Sequence, residues 1–121
     1  MASPVNDIRT SMAAVDGLLV VSLPGELSDL VLNRIVEDVT QRVSQEAIRG
    51  VILNLSTVTL LDMTEFQVLR HLVQTNEVLG VPTVLMGIRP GIAAYLCQMP
   101  ISIDDLIFRV DMASSLEACN A

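Results

Sequence analysis

Aromatic side chains are scarce in this chain of 121 residues. It has no Trp, and one Tyr (Tyr95) and two Phe (Phe66, Phe108) bring the aromatic share to only 2%. Proteins that bind single-stranded nucleic acid stack the bases on aromatic rings, and this chain has few rings to offer. Because 51% of the residues are hydrophobic, we expect one domain with an aliphatic core of Val, Ile, Leu and Met.

Lysine is absent altogether. The seven basic residues are all Arg, and fourteen acids outnumber them, which leaves a formal net charge of -7. A protein that binds a phosphate backbone needs clustered cations and the opposite balance of charge. Nucleic acid is therefore not an expected partner.

Long apolar runs are missing as well. No run approaches the length of about 20 residues that a membrane-spanning helix needs, and Asp7 and Arg9 interrupt the N-terminus before a signal-like apolar segment. We therefore predict a cytoplasmic protein with no membrane partner. The two cysteines, Cys97 on a predicted helix and Cys119 at a frayed C-terminus, do not indicate a disulfide framework and are expected to be free thiols.

The residues that usually carry catalysis are few and isolated. His71 is the only histidine; it has no Cys or second His at ligand spacing and is predicted to lie on a helix surface. The glycines are scattered at element ends, so no glycine-rich loop can hold a phosphate. Asp104 and Asp105 are better explained as a solvated loop or a helix start than as an acid pair. We predict no catalytic residue, no metal, no cofactor and no enzymatic activity.

Short apolar runs alternate with amphipathic segments along the chain. Ser28 is a suitable N-cap for the first of these helices, and Gly80 a suitable terminator for the second. Strands are predicted over 18–23, 51–55, 81–86 and 107–110, and helices over 29–46, 64–79, 91–99 and 112–118. This alternation predicts an α/β fold: a small, mostly parallel sheet of about four or five strands with the helices packed mainly on one face. We expect residues 1–14 to be loosely structured and residues 15–121 to form the single domain.

The most informative segment runs from Leu60 to Phe66, where an apolar stretch ends and a helix begins. Asp62 with Glu65, or Thr64 with Gln67, has the spacing of a capping box, which satisfies free amide donors at a helix start. A hydroxyl at a helix N-terminus is also a favourable place for a phosphate group. The two interpretations are compatible with each other.

The order and spacing of several short motifs over residues 16–118 resemble the STAS-domain family of bacterial anti-sigma-factor antagonists. Within that family, the chain is most similar to the single-domain S-type scaffold of the stressosome. The motifs are Leu19-Val20-Val21-Ser22, Gly25-Glu26-Leu27, Gly50 to Ser56, the turn at Asp62, and Gly87-Ile88-Arg89-Pro90.

The resemblance implies a switch that a kinase of the ATP-binding anti-sigma type reads and phosphorylates. The family acceptor is the Ser or Thr directly after the Asp of this turn, and here that position is Met63, which cannot accept phosphate. Thr64 is the adjacent hydroxyl and thus the candidate acceptor, and Asp62, Met63, Thr64 and Glu65 form the expected partner surface.

The resemblance also implies partners and an assembly. We expect a non-enzymatic scaffold that forms homo- and hetero-oligomers with an R-type STAS protein and binds or releases the kinase. The alternatives are a stand-alone STAS subunit of a transporter or lipid-transport complex, a classical anti-anti-sigma factor, and, more remotely, a small α/β enzyme. Neighbouring genes would discriminate between the stressosome and the transporter alternatives.

Overall fold

A five-stranded sheet lies at the centre of the structure, a computed structural model that describes residues 11–120. The strands are β1 (Ser11–Val15), β2 (Leu18–Ser22), β3 (Gly50–Asn54), β4 (Thr83–Met86) and β5 (Ile107–Arg109). The helices are α1 (Asp29–Gln45), α2 (Met63–Val78), α3 (Pro90–Gln98) and α4 (Met112–Asn120). The strands are ordered β1-β2-β3-β4-β5; β1 and β2 form an antiparallel hairpin, and every later pairing is parallel.

The two faces of the sheet are covered unequally. On one face, alternate side chains of β2, β3 and β4 join α1, α2 and α3 in the main core, in which Val21, Leu53 and Leu85 are almost fully buried. On the other face, a smaller cluster around Ile52 and Val84 is covered by α4. Central parallel strands are normally buried on both faces, which explains why β3 and β4 are mostly apolar. The predicted α/β fold, with a mostly parallel sheet and helices mainly on one face, is confirmed.

The first strand differs from our expectation. Residues 11–14 belong to β1, whereas we expected a loosely structured start through residue 14; residues 1–10 lie outside the described part of the chain. The strand lies at the edge of the sheet, and its mostly exposed side chains gave no alternating pattern. Asp16 and Gly17 form the hairpin turn, both with positive φ (52° and 81°). An Asp-Gly pair is a strong hairpin signal, so this pair is the feature of the sequence from which β1 could be predicted.

The C-terminal helix also differs from our expectation. Cys119 does not lie in a frayed end: it is buried in α4, against the side chain of Leu18 and the backbone of Gly50. A Cβ added at Gly50 would lie 3.0 Å from Cys119 Sγ, so the absence of a side chain at Gly50 permits this close approach. Burial raises the pKa of the Cys119 thiol above its usual value. Cys97 is exposed on α3, and both cysteines are free, as predicted.

Within residues 11–120, no helix is both long enough and apolar enough to cross a membrane.

Candidate functional site

The start of α2 is closed by a capping box between Asp62 and Glu65. Asp62 Oδ1 accepts a hydrogen bond from the Glu65 backbone N–H at 2.8 Å, and Glu65 Oε1 accepts one from the Asp62 backbone N–H at 3.0 Å. Two otherwise free donors of the first turn are thus satisfied reciprocally. Of the two capping pairs that the sequence allowed, the structure forms Asp62 with Glu65, and Thr64 lies inside the helix at its second position.

The four residues of the predicted partner surface lie together at this helix start, but they border two different grooves. Met63 and Thr64 line the groove between α1 and α2. Asp62 and Glu65 line a second groove, which runs toward α3. The first turn of α2 is therefore a ridge with a groove on each side.

Thr64 and Met63 share one groove although they are consecutive. A step of one residue rotates a side chain by about 100° around a helix, which left the direction of Thr64 open. Thr64 is exposed, and Met63 is half-buried with its Sδ 3.8 Å from Gln67 Nε2. Asn33 of α1 and His71 of α2 border the same groove. The hydroxyl of Thr64 is thus accessible from the groove that the Met63 side chain also borders.

The loop that leads into α2 is held by contacts from distant segments. The Arg89 side chain donates from Nε to the carbonyl oxygen of Ser56 at 3.0 Å. The backbone N–H of Thr59 donates to the carbonyl oxygen of Gly25 at 3.1 Å. These contacts fix the position of Asp62 relative to α3 and to the loop that follows β2.

Gly87 brings the segment with Arg89 close to this loop. It has a φ of +74°, and a Cβ added there would lie 3.2 Å from the Cβ of Ser56. The motif Gly87-Ile88-Arg89-Pro90 does not by itself indicate a role for Arg89. Its contact with Ser56 links residues 33 positions apart, which no local pattern shows.

The apolar side chains that lie beside the helix start are those of Leu60 and Tyr95, which the sequence pattern does not single out. Leu60 is 67% exposed, whereas its neighbour Leu61 is buried. Tyr95 of α3 is 38% exposed and lines the same groove as Leu60 and Asp62. Two consecutive leucines before a helix give no sign of which one faces outward, so the sequence alone did not identify this patch.

The other singled-out side chains, of His71, Asp104 and Asp105, lie outside the first turn of α2. His71 is exposed on α2, as predicted. Asp104 is exposed in the turn before β5, and Asp105 in the same turn accepts from Arg70 Nη2 at 3.1 Å. In the part of the chain from residue 11 to residue 120, no three His, Cys, Asp or Glu side chains form a group that could hold a metal ion.

Several solved structures have the same fold. A serine-to-glutamate variant of RsbS from Moorella thermoacetica matches with a TM-score of 0.80 and 23% identity, over 92% of this chain and 94% of that one. A chain from the molecular architecture of the stressosome, described as a signal integration and transduction hub, matches with a TM-score of 0.77 and 24% identity, over 91% and 96%. The unphosphorylated form of the anti-sigma factor antagonist SpoIIAA matches with a TM-score of 0.69 and 15% identity, over 93% and 98%.

Comparison with protein sequences identifies the family. No curated protein sequence matches the chain significantly. The sequence model of the STAS domain matches residues 9–116, which is most of the chain and includes every strand of the sheet. The chain belongs to the STAS-domain family.

Proposed function

We propose that this chain is a non-enzymatic scaffold of a cytoplasmic, stressosome-type signalling complex. In this role it co-assembles with an R-type STAS protein and binds a kinase-type switch protein through the start of α2. The observation that carries the proposal is the ridge formed by residues 62–65, which is capped, accessible and bordered by a groove on each side. Structures of RsbS and of a stressosome chain, which have this fold, support the assembly.

The ridge is suited to binding a protein surface. Asp62 and Glu65 are tied into the capping box, which orders the turn before any partner arrives. A pre-ordered turn loses little conformational entropy on binding. The exposed Leu60 and Tyr95 supply apolar area beside the polar cap, the mixture that protein interfaces bury at their centres.

Thr64 is the phosphate acceptor in this proposal. Its hydroxyl is exposed at the second position of α2, where free backbone donors and the helix dipole favour a negative group. A phosphate there adds about -1.5 to -2 charge at pH 7, next to the carboxylates of Asp62 and Glu65. A kinase that docked on the unmodified ridge would have to desolvate that charge, so phosphorylation releases it.

The test is phosphate incorporation from ATP by the switch kinase of the same organism, followed by mass spectrometry. We expect phosphate on Thr64 of the wild type and none on Thr64→Ala. Thr75→Ala, which removes a hydroxyl further along α2, is the control and should leave incorporation unchanged. Met63→Ser places an acceptor where the family has one.

Two outcomes contradict the acceptor assignment. Phosphate on Met63→Ser together with none on the wild type would show that this scaffold has lost the switch. Phosphate retained by Thr64→Ala would place the acceptor elsewhere. Binding of the kinase to Thr64→Glu with undiminished affinity would contradict the release mechanism.

A further inference from the structure

A cavity of about 290 Å³ lies between α3 and β5, on the far side of α3 from the groove that Asp62 borders. Its walls come from three parts of the fold: Leu85 at the end of β4, Leu96 in α3, and Phe108 in β5. Ile88 and Ile103 close it further. Its volume is just below the range for pockets that bind drug-sized molecules, which begins at about 300 Å³, and suits a smaller ligand.

The lining of the cavity is apolar except for two groups. One belongs to Cys97, which is exposed on α3, and the other to Arg109, at the end of β5. Arg109 donates from Nη1 to the carbonyl oxygen of Phe108 at 2.8 Å. A guanidinium has five N–H donors, so most of them remain available to a ligand.

Among the described residues, no carboxylate forms an ion pair with Arg109. Among residues 11–120, the ion pairs are formed by Arg34, Arg42 and Arg70, each with a nearby Asp or Glu. Fourteen acids are available to seven arginines in the sequence. Within the described residues, Arg109 has only a neutral backbone partner, as do Arg49 and Arg89 with their neutral acceptors, but of these three it is Arg109 that lines the cavity. An apolar cavity with one cation at its edge is complementary to a molecule with an apolar body and one anionic group.

We propose that the cavity between α3 and β5 binds a small carboxylate with an apolar chain, such as a medium-chain fatty acid. The chain fills the space between Leu85, Leu96 and Phe108, and the carboxylate is held by Arg109. The area of a buried alkyl chain supplies most of the affinity, and the charge of Arg109 selects the acid over its neutral analogue. This site does not depend on the proposed scaffold function.

The test is an NMR titration of the full chain with octanoate, and with 1-octanol as the neutral analogue. We expect saturable shifts of the Ile88 and Phe108 amides. Arg109→Gln should lower the affinity for octanoate by about two- to fivefold, the range of an exposed ion pair. The affinity for octanol should be unchanged. Arg34→Gln, which removes an arginine on α1, is the matched charge control and should leave both affinities unchanged.

A second pair of variants tests the position of the apolar chain. Ala93 lines the cavity, and Ala94 is the next residue of α3, outside the lining; both are exposed. Ala93→Phe should fill the cavity and abolish binding of both ligands, while Ala94→Phe should bind as the wild type does. Because both changes are at exposed positions, a folded protein is expected in each case, and the dispersion of the amide spectrum verifies it.

The two cysteines provide an independent readout. Octanoate should slow the alkylation of Cys97, which lines the cavity, and leave the slow alkylation of the buried Cys119 unchanged. The proposal is contradicted if octanoate gives no saturable shifts in the wild type, or if Ala93→Phe binds as tightly as Ala94→Phe. An equal loss of affinity for octanoate and for octanol in Arg109→Gln would contradict the role of the charge.

Discussion

At the scale of single residues, Gly87 decides how the family motif Gly87-Ile88-Arg89-Pro90 meets the loop before α2. Its φ of +74° is in the region that residues with a Cβ avoid, and Ser56 lies in the direction of the missing Cβ. We expect Gly87→Ala to lower the free energy of unfolding by about 1–2 kcal/mol, since a left-handed conformation costs other residues that much. Urea denaturation measures the change.

Gly91 provides the matched control for that substitution. It lies four residues further on, inside α3, where its φ is not positive and no atom is within 4 Å of an added Cβ. Gly91→Ala should be neutral or slightly stabilising, because Ala is the better helix former. Equal stability of the two variants would show that a side chain at position 87 does not strain the backbone.

Local sequence patterns predict only part of the site at the start of α2. The capping pair could be predicted because Asp62 and Glu65 have a spacing set by one helical turn. The choice between that pair and Thr64 with Gln67 could not, since both have the same spacing and only the position of the helix start separates them. The exposure of Leu60 and the contact of Arg89 with Ser56 depend on segments far apart in sequence.

At the scale of elements, the capping box sets where α2 begins. Asp62→Ala removes the acceptor for the Glu65 N–H and should lower the free energy of unfolding by about 1 kcal/mol. Thr64→Ala, two positions further on, also shortens a polar side chain but leaves the capping box intact. Its free energy of unfolding should be within about 0.5 kcal/mol of the wild-type value. Thermal or urea unfolding of the two variants checks this, and a larger loss for Thr64→Ala would contradict the assigned cap.

The docking of α4 on the sheet is a second element-scale feature. It depends on the close approach of Cys119 to Gly50, where an added Cβ would lie 2.8 Å from Leu18 Cδ2. Overpacking of this kind costs about 1–3 kcal/mol. We expect Gly50→Ala to loosen α4 and speed alkylation of Cys119 by roughly tenfold or more, with Cys97 as the internal control.

The same alkylation measurement on the wild type tests whether α4 protects Cys119. In the wild type, burial raises the pKa of the Cys119 thiol, so less of it is thiolate at neutral pH and it should react more slowly than the exposed Cys97. Equal reactivity of the two thiols in the wild type would show that α4 does not protect Cys119.

The elements themselves were largely predictable, for a physical reason. The central strands are buried on both faces, which requires continuous apolar runs, and the helices have stripes facing the core, which require the 3.6-residue period. The edge strand β1 has no such apolar run, because four of its five side chains are exposed, and it was therefore not predicted. The face that α4 covers was also unpredictable, since Cys119 gave no sign of which cluster it joins.

At the scale of the whole molecule, the charge and the exposed apolar side chains favour association with selected partners. A net charge of -7 on 121 residues opposes nonspecific self-association. Leu30, Leu60 and Val78 are nevertheless more than half exposed, in different parts of the surface. Scattered apolar side chains are normal on a surface, but Leu60 shares a groove with the exposed Tyr95 beside the start of α2, so we expect a partner protein to cover this groove.

The measurement that tests the central claim most directly is the mass of the complex formed with an R-type STAS protein of the same organism. The two proteins are co-expressed and analysed by size-exclusion chromatography with light scattering, alongside each protein alone. The proposed scaffold role predicts a mixed assembly that contains several copies of both chains. Two separate monomers at high concentration would contradict it.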